Sequence, residues 1–180
     1  AWTAESDQAG AQFGLSVASA GDVNGDGFGD VLVGARNYNG GEAGEGRAYL
    51  YLGSATGIPA APAWTAESDQ ADAGFGYSVA SAGDVNGDGF GDVVVGANLY
   101  EGGQPREGRA YLYLGSSTGL ASAPAWTAES DEPYAQFGVC VASAGDVNGD
   151  GFGDVVVGAW GYSGGEAGEG RAYLYLGSAA

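Results

Sequence analysis

Asp22-Val23-Asn24-Gly25-Asp26-Gly27-Phe28-Gly29-Asp30 is the stretch whose reading decides the fold, and it returns unchanged at 84–92 and 146–154. Each copy carries oxygen side chains at positions one, three, five and nine, and glycine at four, six and eight. Carboxylates this close repel one another unless a cation or water lies between them. Calcium suits such a loop, because it accepts about six to eight oxygen ligands in flexible geometry. Position assigns the roles. Asp22, Asn24, Asp26 and Asp30 offer side-chain oxygens, Phe28 its backbone carbonyl, and Gly27 the backbone freedom for a sharp turn. The EF-hand loop starts similarly but needs a bidentate Glu at position twelve and flanking helices. Position twelve here is Val33, Val95 or Val157, and the flanks alternate like strands, so that reading is excluded.

Outward from the loop, everything recurs every 62 residues: Trp2, Trp64 and Trp126, then Phe13, Phe75 and Phe137, then Tyr49, Tyr111 and Tyr173. The chain divides into units 1–62, 63–124 and 125–180. Each unit reads as β throughout. Ala1–Ser6 is a short strand, and Phe13–Ala20 alternates, with Leu15 and Val17 opposite Ser16 and Ala18. Asp30–Ala35 is an apolar run suited to a buried strand, and Arg47–Leu52 sets Tyr49 and Tyr51 opposite Leu50 and Leu52. Four short antiparallel strands per unit, joined by Gly-rich turns, describe a propeller blade. A stacked β-solenoid is the alternative, although its coils usually have shorter periods.

Composition narrows the function. The 180 residues include 23 acids, five Arg, no Lys and no His, for a formal charge of −18. Nine of the acids belong to the three loops, so three divalent ions would bring −18 to −12. This balance argues against nucleic acid or an anionic membrane as a partner, since both attract basic surfaces. Without His or Lys the usual catalytic bases and nucleophiles are missing, and no enzyme is expected. Cys140 replaces the serine found at Ser16 and Ser78 and reads as a small buried thiol. No apolar run reaches the ~18 residues of a membrane span. Neither a signal peptide nor an initiating Met is visible, as expected of a trimmed or mature segment.

Phe13-Gly14, the DVNGDGFGD loop and Gly34-Ala35 together resemble the FG-GAP repeat, the blade of integrin α-subunit propellers and of many bacterial and fungal extracellular proteins. The resemblance covers all three units. It implies that the FG strand lies innermost and that calcium sits in the hairpin between the first and second strands, one ion per repeat and three per chain. It carries the ligand set over to Asp22, Asn24, Asp26, Phe28 and Asp30; to Asp84, Asn86, Asp88, Phe90 and Asp92; and to Asp146, Asn148, Asp150, Phe152 and Asp154. It also implies an extracellular or secreted setting. One departure is visible: the family's Pro after Gly-Ala is Arg36, Asn98 and Trp160 here.

In that frame each unit begins with the outer strand of a blade and then supplies three inner ones. The N-terminal AWTAES then lacks inner strands ahead of it, and Arg171–Ser178 lacks an outer strand behind. Three blades do not close a ring, since propellers take roughly four to eight. An open fan would expose two apolar faces and an unpaired edge. The expected remedy is strand exchange with a second copy, giving a homodimer of six blades, with a homotrimer of nine or a fragment of a longer propeller as alternatives. The near-identity of the units is expected of a recently amplified or designed symmetric protein. The loops are expected to serve structure rather than sensing. A carbohydrate or protein ligand, as for a lectin or adhesion receptor, would meet the opposite face. There the units differ most, and the candidate residues are Arg36, Tyr38, Tyr100, Trp160 and Tyr162.

Overall fold

The computed structural model describes residues 1–179 and holds eleven strands with no helix among them. They are β1 (Phe13–Gly21), β2 (Asp30–Ala35), β3 (Arg47–Tyr51), β4 (Trp64–Glu67), β5 (Phe75–Gly83), β6 (Asp92–Ala97), β7 (Arg109–Tyr113), β8 (Trp126–Glu129), β9 (Phe137–Gly145), β10 (Asp154–Ala159) and β11 (Arg171–Tyr175). The sheet orders are β1-β2-β3-β4, β5-β6-β7-β8 and β9-β10-β11, all with antiparallel neighbours. Two complete four-stranded blades and a three-stranded one follow each other, with β1, β5 and β9 side by side.

The glycine of each Phe-Gly pair has a dual purpose. Gly76 lies in the left-handed region at φ 80°, in the irregular register between Phe75 and Ser78, a conformation costly for side chains that carry a Cβ. Its carbonyl oxygen faces Gly34 of the preceding blade, where any Cβ would overlap it. Gly138 and Gly96 repeat the contact one seam later. Sheets therefore meet backbone to backbone near the innermost strands. Farther out, bulk fills the space: Leu32 and Leu50 of the first blade pack with Phe75, Val93 and Tyr113 of the second. The next seam joins Val85 and Val94 to Phe137, Val155 and Val157. Trp64 of β4 reaches across to Tyr113 with ring centroids 4.9 Å apart, and Trp126 of β8 meets Tyr175 at 4.5 Å.

The ends of the array lack these partners. Val17 is 65% exposed where Val79 and Val141 are each 6%. Leu174 is 50% exposed where Leu50 is fully buried, and Val147 is 51% exposed where Val23 is fully buried. Two sequence expectations fail at these ends for one reason. Ala1–Ser6 forms no strand, because no β3-like strand among the described residues lies beside it to pair with. Trp2 nevertheless packs on Tyr51 at 4.9 Å, as Trp64 packs on Tyr113. Cys140 is exposed rather than buried, because no blade follows β9. At the same position of β1, the Ser16 hydroxyl accepts a hydrogen bond from the Val79 N–H across the seam at 3.1 Å.

Gly96→Ala should lower unfolding free energy by about 2 kcal/mol or more in a urea titration, since the new methyl meets a carbonyl that cannot move without parting the sheets. A stability equal to that of the parent would mean the seam is not held at backbone contact.

Candidate metal centre

The three acidic hairpins join β1 to β2, β5 to β6 and β9 to β10. Each folds around its own first aspartate. Asp22 Oδ1 accepts hydrogen bonds from the Gly25 and Asp26 N–H groups at 2.7 and 3.1 Å, and Oδ2 accepts one from Gly27 at 2.8 Å. Asn24 Oδ1 accepts the Asp26 N–H at 3.2 Å, while the Asn24 amide donates to Asp26 Oδ2 at 2.9 Å. Asp26 Oδ1 accepts the Phe28 N–H at 2.9 Å. The second and third hairpins repeat this network about Asp84, Asn86 and Asp88 and about Asp146, Asn148 and Asp150. Glycines are needed here because the chain doubles back over a carboxylate: Gly25 and Gly27 both have φ above 70°.

The ninth residue behaves differently. Asp30, Asp92 and Asp154 are buried at the root of the hairpin. Asp92 Oδ2 accepts the Val85 N–H at 2.8 Å, and Oδ1 accepts the Gly115 N–H, also at 2.8 Å, binding the hairpin to the end of β7. Burial pushes the Asp92 carboxyl up to about 6; the two backbone N–H bonds oppose the shift, and the charges of Asp88 and Asp84 add to it. Asp30 is raised by the same causes. At the exposed third hairpin, backbone N–H groups led by Gly151 hold Asp146 below its usual value.

The chemistry of this donor set fits a hard cation, although the three carboxylates of a hairpin do not come within 4.8 Å of one another as the structure stands. Every donor is oxygen, and Asp22 Oδ2, Asn24 Oδ1 and both oxygens of Asp26 and Asp30 each accept a single hydrogen bond, leaving a second lone pair free. A bound divalent ion would also relieve the like-charge repulsion that raises Asp30 and Asp92. Adjacent hairpins touch. The Gly91 N–H donates to the Asp22 carbonyl at 2.8 Å, and the Phe90 ring lies against Gly25, as Phe152 lies against Gly87. Phe28 has no preceding hairpin to cover and is exposed.

At the opposite ends of the strands, the five candidate ligand residues divide. Tyr38, Tyr100 and Tyr162 lie beneath Arg47, Arg109 and Arg171, whose guanidinium carbons are 3.7–3.8 Å from the ring centroids. Each also meets a tyrosine of its own blade edge-on. Those rings build the blade, and Tyr38 is buried. Arg36 and Trp160 face outward to different degrees. The Arg36 guanidinium stands 5.2 Å from the Tyr77 ring centroid, and its Nε is buried with no hydrogen-bond partner. Trp160 is 62% exposed, and its indole N–H donates to Gln136 Oε1 at 3.0 Å.

The structure also gathers acidic residues outside the hairpins and outside the candidate ligand face, joining Glu45 to the recurring pair Glu67 and Asp69. Carboxylate oxygens of Glu45, Glu67 and Asp69 lie within 4.8 Å of one another, as do those of Glu107, Glu129 and Asp131. Among the described residues these are the acidic trios that converge so tightly. Their signal was available in the sequence: Glu5, Glu67 and Glu129, Asp7, Asp69 and Asp131, and Glu45, Glu107 and Glu169 all keep the 62-residue period.

The FG-GAP repeat family matches residues 13–51, 75–113 and 141–175. Mouse integrin alpha-IIb is 37% identical over 165 residues, covering 87% of this chain and 16% of its own length. Integrin alpha-5 of Xenopus laevis is 34% identical over 164 residues, covering 86% and 15%, and integrin alpha-PS2 of Drosophila melanogaster is 35% identical over 168 residues, covering 85% and 12%. The chain thus spans about one-sixth or less of these relatives.

Calcium at about a hundred times its dissociation constant should add about 2.7 kcal/mol per hairpin to the folded state. Chelator should correspondingly lower the melting temperature. Asp26→Asn, Asp88→Asn and Asp150→Asn together should remove that calcium dependence; a melt indifferent to chelator in the parent protein would exclude structural calcium in the hairpins.

Proposed function

Because this chain belongs to the FG-GAP repeat family, we propose that it is a calcium-stabilised propeller module of the extracellular, adhesion type, which closes its ring by exchanging strands with a second copy. The observation that carries this reading is the pair of uncovered seam faces: Val17 of β1 is exposed where Val79 and Val141 are buried, and Leu174 of β11 is exposed where Leu50 is buried. Among the described residues the third sheet has three strands, ending on β11. Residues 2–5 (WTAE) have the sequence of β4 and β8, which fill the fourth position in the other two blades. Trp2 is held against Tyr51 by the same contact that Trp64 and Trp126 make with the blade that follows them. Gly149 has open space where Gly25 and Gly87 receive a phenylalanine, and Phe28 is the exposed ring that would fill it. Every seam is head-to-tail, so two copies related by a two-fold axis would form six blades with no uncovered seam face and only the short outer strands as edges.

A second reading concerns the face opposite the hairpins, and a specific pocket favours it. A cavity of 460 Å³ lies between the first two blades, lined among others by Arg36, Asn37, Asp72, Asn98 and Arg106. Two polar groups at its wall lack partners: the Arg36 Nε–H donor and the Asn98 Oδ1 acceptor. Asn98 is itself 4% exposed and spends its amide on Gln136. A donor and an acceptor left open in a polar hollow suit a carbohydrate hydroxyl, which supplies both functions. Its lining holds the carboxylates Asp72 and Glu101 with no His, Lys or Cys beside them, and the module is read as a binding scaffold rather than an enzyme.

Light scattering should give twice the 17.8 kDa of one chain in calcium. The Cys140 thiol should then resist a thiol reagent, because its seam is covered. Gly158→Ala is the sharper probe: a Cβ there meets only Cys140 atoms at 3.7–3.8 Å within the chain, but would clash across a closed seam. It should yield a stable monomer with a reactive Cys140; a monomeric parent protein would end the strand-exchange reading. For the pocket, binding on a glycan array should be lost in Arg36→Ala with Asn98→Ala. A bare glycan array, or hits indifferent to both changes, would remove the carbohydrate reading.

A further inference from the structure

The geometry points to a second class of divalent-cation site, where the outer strand of one blade leads into the inner strand of the next, formed by Glu45, Glu67 and Asp69 and repeated by Glu107, Glu129 and Asp131. It is separate from the hairpins in both residues and position.

Glu45 is the centre of the argument. It is completely buried, although carboxylates are rarely buried without a partner. Its Oε1 accepts N–H groups from Gly40, Gly41 and Glu42, the last two at 2.5 and 3.2 Å. Its Oε2 is also buried and has no hydrogen-bond partner. One oxygen of this carboxylate is therefore fully engaged and the other is enclosed with nothing to bind, and a Glu45 carboxylate oxygen lies within 4.8 Å of oxygens of Glu67 and Asp69. Glu67 commits Oε1 to the Arg47 guanidinium, and its Oε2 lies against Gly40, where a Cβ would collide with it. The charges leave room for one ion. Three carboxylates and one guanidinium sum to −2, which a divalent cation would cancel. Oxygen-only donors select a hard ion such as calcium or manganese over the softer transition metals.

The second trio shares the buried glutamate, its glycine cradle and its arginine, while the enclosed, unpartnered oxygen is a feature of Glu45. Glu107 Oε1 accepts N–H groups from Gly102, Gly103 and Gln104 at 2.5, 2.6 and 3.1 Å, and Arg109 pairs with Glu129. In the last blade the arrangement is left half made. Glu169 is exposed and accepts only the Gly164 and Glu166 N–H groups, and Arg171 has no carboxylate partner among the described residues. In the closed ring proposed above, Glu5 and Asp7 of a second copy would complete a third site. That third site alone rests on ring closure; the first two lie within one chain.

The test uses the full chain carrying Asp26→Asn, Asp88→Asn and Asp150→Asn, which weakens the hairpins. Equilibrium dialysis against manganese, read by elemental analysis, should retain about two ions per chain in a monomer and three in a dimer. Adding Glu45→Gln and Glu107→Gln should remove two. As a control that needs no variant, substoichiometric manganese added to the parent protein should broaden the NMR signals of the Gly40–Glu42 and Gly102–Gln104 amides. Broadening confined to hairpin amides, or a count unchanged by the glutamine substitutions, overturns the proposal. Two ions on a monomer would uphold these sites while ending strand exchange; a dimer that holds none would do the reverse.

Discussion

Two glycines meeting across a seam set the dimensions of this molecule. Gly34 rests on the carbonyl of Gly76, and Gly96 on that of Gly138, with no side chain between the sheets. Once that contact is made, the sizes of the other residues follow from their distance along the blade. The innermost strands carry Ser and Ala, and the strands beyond them carry Leu, Val and Tyr that fill the widening gap. A Phe-Gly pair and the Gly-Ala pair of the preceding blade thus express one requirement seen from its two sides. The residues between them are constrained less tightly, because side chains can repack where backbones cannot.

Much of this was legible because the chain states it three times. The bounds of β2, β6 and β10 follow from apolar runs bracketed by the acidic hairpin and a glycine; the burial of the ninth aspartate is visible only in the structure. Two expectations failed where a residue has no neighbouring strand or blade among the described residues, and others where a distant part of the chain supplies the contact. Residues 1–6 resemble β4 and β8, but a ladder needs two strands. Cys140 was judged by analogy with Ser16 and Ser78, whose surroundings it does not share. The periodic tyrosines Tyr38, Tyr100 and Tyr162 looked available to a ligand until each was seen under an arginine two residues before the next aromatic of its own blade. The trio about Glu45 is not legible as a cluster in the sequence because Glu45 lies more than twenty residues before Glu67 and Asp69, and only the loop ahead of β3 brings it to them.

The acids are therefore not one population. Asp30, Asp92 and Asp154 are anchors, each accepting two backbone N–H groups that tie a hairpin to the chain beyond the third strand. Asp22, Asn24 and Asp26 shape the open turn. Glu45 and Glu107 organise a glycine loop from inside it, through three N–H groups each. Net charge alone would have suggested only a solubilising coat. Placement shows three separate tasks, and two of them involve carboxylates that folding removes from water, where each must find donors or lose its charge.

Arg36, Asn98 and Trp160 occupy one position in three units that are otherwise nearly the same, directly after the glycine and alanine that fix the seam. A cation, an amide and an indole are accommodated there with the strands before them unaltered. The scaffold thus separates what must stay from what is free to drift: an invariant chassis ends one residue before a position where chemistry is interchangeable. Variety can accumulate on that rim, unit by unit, without disturbing the architecture beneath it.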